Sequence, residues 1–177
     1  YSKALKAAGA NGIVMAEPAA GLLSPDWNAE FSAQYVKRVV EAVQDENFLV
    51  VYHNCGNVVP LIQDIVATGA CAFHFGNAID LANVIDHVPA DRLVLGNIDP
   101  ATQFARGTRD SIIASTRALL DKMNGHNNFV LSSGCDIPPR TSLAIIGAFF
   151  AAAAGHQTEQ ITLIHFAGLT ERHSAIR

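Results

Sequence analysis

The feature that most constrains this chain is an alternation of short apolar runs with helical periods. The runs are "GIVMAEP" (12–18), "FLVVYHNCG" (48–56), "CAFHFG" (71–76), "RLVLGNIDP" (92–100) and "NFVLSSGC" (128–135), each bounded by Gly, Pro, Asn or Asp. Continuous apolarity over so few residues is how strands buried on both faces read. Between them lie amphipathic stretches. Residues 26–44 set Trp27, Phe31, Tyr35, Val39 and Val43 on one helical stripe expected to face the core, with Ser24 as cap and Pro25 in the first turn. Shorter helices are expected over 58–67 and 79–87. A longer one is expected over 109–123 behind a Thr108 cap, and another from Thr141 to about Ala154. Strand, helix, strand at this spacing predicts right-handed βαβ units and a parallel α/β sheet.

Half the residues are hydrophobic and 16% are charged, which places the chain among folded globular proteins. Its 177 residues suffice for one domain with a real core, expected to span 1–177 with its core over 3–154 and a tail over 155–177. A net charge of −4 gives no reason to expect nucleic acid or an anionic membrane as partner. No apolar run approaches the roughly 20 residues of a membrane span, and the first residues do not read as a signal peptide. Three cysteines make no disulfide framework, so a reducing cytoplasm is the expected setting. The chain opens on Tyr1 in what reads as the end of a helix, as a piece of something longer would. In the tail, "ITLIHFAG" (161–168) reads as a sixth strand or as apolar surface for a neighbour.

Polar and metal-competent residues collect at the carboxyl ends of the runs. Glu17 lies at the end of the first, His53 and Cys55 of the second, His74 and Asn77 of the third, Asn97 and Asp99 of the fourth, Ser132 and Cys135 of the fifth. In parallel α/β folds the βα loops converge on that edge and ligands bind there. His53 and Cys55, two apart, leave one face of a strand. With Cys135 they make one imidazole and two thiols, the three-ligand pattern of a catalytic zinc with a fourth position open. Thiolate donors make the metal electron-rich, which suits activating a thiol substrate better than making hydroxide from water. The plain alternative is a core histidine beside an inert thiol. His74 is either a fourth ligand, an outer hydrogen-bond donor or a packed ring. Glu17 and Asp99 are the catalytic candidates, although Glu17 could also ligate metal or cap a helix, and Asp99 before Pro100 could only shape a turn. Cys71 begins its strand on the opposite edge and reads as a small buried residue. "GNAIDL" and "GNIDP" lack the spacing of phosphate loops, which excludes nucleotide binding on sequence grounds.

Four blocks carry a resemblance: "AGANGIVMAEPAAGLLSP", "HNCGNVVPLIQDIVATGA", "LGNIDPATQFARGTRDSI" and "LSSGCDIPPRTSL". Together they resemble the C-terminal half of the uroporphyrinogen decarboxylase superfamily, in register from about Lys3 to Ala154. The resemblance implies the C-terminal portion, about five βα units, of a (β/α)8 TIM barrel. One branch of the superfamily holds metal-free decarboxylases with a Gly-His-Gly sequence near the last strand. The other holds corrinoid-dependent methyltransferases, among them the methylcobamide:coenzyme M enzymes, marked by a zinc on His-x-Cys and a later Gly-Cys turn. His53, Cys55 and Cys135 match those three positions, and "SGCDIPP" stands in place of Gly-His-Gly. The resemblance thus implies zinc as cofactor, a small thiol such as coenzyme M as acceptor, and methylcobalamin on a partner corrinoid protein as donor. Glu17-Pro18 departs from the Asp-Ser pair of the decarboxylases. Two rivals stand beside this expectation: a metal-free decarboxylase-like enzyme acting on a tetrapyrrole, and a non-catalytic half-barrel that pairs with itself or with a missing N-terminal half.

Overall fold

The computed structural model describes residues 1–156 of the chain. Five strands form one parallel sheet in the order β1-β2-β3-β4-β5: β1 Gly12–Ala16, β2 Leu49–Asn54, β3 Ala72–Phe75, β4 Leu93–Ile98 and β5 Phe129–Ser133. All five expected strands are present. Strands that neighbour in sequence order, with no reversal, are the order of a barrel wall; a doubly wound sheet reverses at a switch point. The expected "ITLIHFAG" strand and most of the expected tail lie outside the described residues.

Among the described residues six α-helices accompany the sheet: α1 Ser2–Ala7, α2 Pro25–Asn28, α3 Gln34–Val43, α4 Ile62–Ala67, α5 Arg109–Lys122 and α6 Leu143–Ala154. Ser24 accepts from the Trp27 amide and Pro25 begins α2, as its sequence chemistry requires. Thr108 and Ser111 close a reciprocal capping box on α5. Thr108→Ala is expected to cost about 1 kcal/mol, read as a lower urea midpoint with an unchanged slope.

Two expectations are corrected. A wide turn over Ala29–Ala33 joins α2 to α3, and the buried face of this segment is Asn28, Ser32, Val36, Val40 and Val43. Trp27, Phe31 and Tyr35 are instead 60%, 59% and 50% exposed. Two stripes one residue apart compete for the sheet. The one that carries Val36 and Val40 packs into the main core, and Ser32 on it finds partners in Glu17 and Tyr52. The second correction is 79–87, which forms two single 3-10 turns, Leu81–Asn83 and Ile85–His87. Asp80 accepts from the Ala82 amide and starts the first turn, and Val84 at φ −130° stops the helix from propagating.

The main core lies between the sheet and α3 and α4. There Val36, Val40 and Val43 meet Phe48, Val50, Tyr52, Phe73, Phe75 and Val94. A second cluster joins Ile98, Phe104, Ile112 and Phe149 under α5 and α6. The other face of the sheet carries the alternate residues. Register places His53 level with His74, His74 with Leu95, and Leu95 with Val130. No helix among the described residues is long and apolar enough to cross a membrane.

Candidate metal centre

His53 is the fifth residue of β2, on the sheet face away from the helical core, and it is 5% exposed. Its Nδ1 lies 3.2 Å from the carbonyl of His74. A carbonyl only accepts, so Nδ1 carries the proton and Nε2 presents a lone pair. Burial holds the imidazole below its ordinary pKa, which keeps it neutral near pH 7. That Nε2 lies 3.1 Å from Cys55 Sγ and 3.6 Å from Cys135 Sγ, and the two sulfurs are 3.8 Å apart. Three residues that are up to 82 positions apart therefore bring their ligand atoms within 4.8 Å of one another.

The donor set fits zinc. Zn–S bonds of about 2.3 Å and Zn–N bonds of about 2.0–2.1 Å at tetrahedral angles give an S···S edge of about 3.8 Å and an N···S edge of about 3.6 Å. Two of the three observed edges have those lengths, and the shorter His53–Cys55 edge suits a thiol donating to the imidazole. All three cysteines are free. Burial and the neighbouring Cys135 thiol push Cys55 up to about 11, so a metal that binds here must displace its proton.

His74 is not part of the trio. Its Nε2 donates to the Ser133 carbonyl at 2.7 Å, and its ring packs on His53 with centroids 4.6 Å apart. The catalytic candidates Glu17 and Asp99 are not brought to it either. Glu17 accepts from Ser32 Oγ at 3.0 Å, and Ser32 also meets the Tyr52 hydroxyl, which lies on the helical side of β2. Asp99 accepts from the amides of Ala101 and Thr102, holding the turn Pro100–Ala105. Cys71 lies just before β3 at the far edge, against Arg92.

Sequence reasoning did not find Ser32 and Tyr52, whose only signal is that Ser32 sits four residues before Val36 on the buried stripe. It also missed Gly21. A Cβ there would lie 1.8 Å from the Cys55 carbonyl oxygen, so the turn Pro18–Leu22 can lie against the Cys55 backbone only with glycine at that point. Gly21→Ala is expected to cost about 1–3 kcal/mol and to weaken metal binding, because either the turn or the Cys55 backbone must move. Parallel urea and zinc titrations check it.

The comparisons with known proteins agree with this architecture. The family described as Uroporphyrinogen decarboxylase (URO-D) matches residues 1–156. A methylcobamide:CoM methyltransferase of Methanosarcina mazei is 27% identical over 146 residues, covering 81% of this chain and 42% of the relative. A uroporphyrinogen decarboxylase of Psychromonas ingrahamii is 32% identical over 155 residues, covering 84% of this chain and 43% of the relative. A solved methyltransferase from Methanosarcina mazei superposes with a TM-score of 0.76 at 28% identity, covering 87% of this chain and 44% of that one. The chain thus spans less than half the length of these relatives, which are enzymes. The five-stranded parallel sheet is a part of a barrel.

Proposed function

The chain belongs to the uroporphyrinogen decarboxylase family, and from that premise we propose that it is part of a zinc-dependent methyltransferase. The enzyme moves a methyl group from a methylated corrinoid protein to a small thiol such as coenzyme M. The observation that carries this reading is the convergence of His53 Nε2, Cys55 Sγ and Cys135 Sγ, with edges that suit a tetrahedral ion. A buried imidazole beside an inert thiol does not require a second thiol from the turn after β5, three strands along the sheet.

His53, Cys55 and Cys135 would hold the zinc, which when bound lowers the pKa of an incoming thiol so that a thiolate is available near neutral pH. The remaining work falls to the protein. The His74 carbonyl fixes the His53 tautomer so that Nε2 faces the ligand position. Two soft sulfur donors favour a sulfur-bearing acceptor over water. Leu95 and Val130, level with the two histidines, keep that face of the sheet apolar beside the reacting atoms. In the overall reaction the acceptor sulfur would bond to the methyl carbon, the donor corrinoid would keep the Co–C electron pair as Co(I), and the thiol proton would go to solvent.

The test is reconstitution with zinc under reducing conditions, with methylcobalamin as donor and coenzyme M as acceptor. Loss of the methylcobalamin absorbance with formation of the methyl thioether is the expected result. Release of CO₂ from uroporphyrinogen with no methyl transfer would overturn the reading in favour of the decarboxylases, which are also relatives.

A further inference from the structure

We propose that the ring of His74 is a positioning device that sets the distance between the two halves of the metal centre, an inference that rests on the zinc reading above. The centre draws its ligands from β2 and from the turn after β5, and β3 and β4 lie between those strands. The ladder holds β5 to β4 as far as Ser133, and the Gly134 amide donates to the Ile98 carbonyl at 2.7 Å; Cys135 lies one residue beyond these bonds.

His74, on β3, touches both sides. Its backbone carbonyl accepts from His53, and its ring lies against the His53 ring with centroids 4.6 Å apart and planes tilted by 34°. In the other direction its Nε2 reaches over β4 to the Ser133 carbonyl at 2.7 Å. Ser133 Oγ in turn donates to the Cys135 carbonyl at 2.8 Å, so the bond from His74 is one link from the ligand. The turn is seated from below as well. A Cβ on Gly134 would lie 2.8 Å from the Asn77 amide nitrogen, so the chain just after β3 supports the residue before Cys135. One side chain therefore joins His53 to the backbone that carries Cys135.

The ring does this through a single donor, which separates positioning from packing. A phenyl or thioether side chain fills the space and still lacks Nε2–H, leaving the Ser133 carbonyl without that partner. A glutamine places an amide N–H at similar reach. The His74 carbonyl bond to His53 belongs to the backbone and survives every substitution, so the variants isolate the ring's contact.

The experiment compares His74→Phe, His74→Met and His74→Gln with the unaltered protein, by zinc affinity in chelator competition and by the visible spectrum of the Co(II)-substituted form. The two variants without a donor are expected to lose about 10–100-fold in affinity, with weaker cobalt–thiolate bands; His74→Gln stays within a few-fold and keeps the spectrum. A role in packing alone would move thermal stability but neither readout. Either donor-less variant, folded, with the affinity and spectrum of the unaltered protein would overturn the positioning role and leave the zinc reading standing. Failure of the unaltered protein itself to bind zinc or cobalt would remove both.

Discussion

Cys135→Ser is expected to lower zinc affinity by at least about a hundredfold, since loss of an outer-shell partner already costs 10–100-fold and a ligand is worth more. Cys135 supplies two of the three edges of the donor triangle, 3.8 Å to Cys55 and 3.6 Å to His53. Serine nearly conserves its volume and replaces a soft, ionisable donor with a hydroxyl that zinc does not deprotonate as readily. The sheet does not depend on the residue, because Cys135 follows the end of β5 and is only half-buried. The change should therefore appear in metal affinity and not in folding. Cys71→Ser is the control. Its thiol lies at the opposite edge beside Arg92, so affinity should stay unchanged. Competition with a chromophoric chelator reads both.

Phe73→Ala is expected to cost about 3–5 kcal/mol of unfolding free energy. Phe73 is 0% exposed on β3, the central strand, and it packs with Val50, Val94 and the apolar faces of α3 and α4. Removing its ring from between strands and helices leaves a cavity that the sheet, paired on both sides of β3, cannot collapse to fill. Phe31→Ala should change stability by no more than about 0.5 kcal/mol, because Phe31 is 59% exposed. Urea unfolding of the pair tests the corrected orientation of residues 26–44. Equal costs would mean that the aromatic stripe faces the core after all.

The strands were legible because they are short, nearly all apolar runs punctuated by Gly, Asn and Pro, although the expected burial on both faces does not hold for β1, where Val14 is 67% exposed. Helix α5 was legible because Thr108 and Ser111 are a local capping device that needs no tertiary information. The trio His53, Cys55 and Cys135 stood out for a different reason. Soft donors at strand ends are rare enough to notice, and the resemblance aligned them with a known set. The stripe over 26–44 was not legible, since periodicity reports that a helix is amphipathic but not which of two adjacent stripes the sheet accepts. That choice involves residues of other elements, among them Tyr52, whose hydroxyl meets Ser32, and the core side chains that meet Val36 and Val40. The direction of the Glu17 carboxylate hangs on the same contact. The part played by His74 was hidden too, because its partner is a backbone carbonyl 59 residues away and carries no side-chain signature.

The most direct test of the metal centre is zinc-edge X-ray absorption on protein purified without an affinity tag and loaded with one equivalent of zinc. Two sulfur neighbours at about 2.3 Å and a nitrogen at about 2.0–2.1 Å are expected, with the sulfur shell reduced in Cys55→Ala and Cys135→Ser. A protein that takes up no zinc, or a first shell made only of oxygen and nitrogen, would contradict the zinc reading.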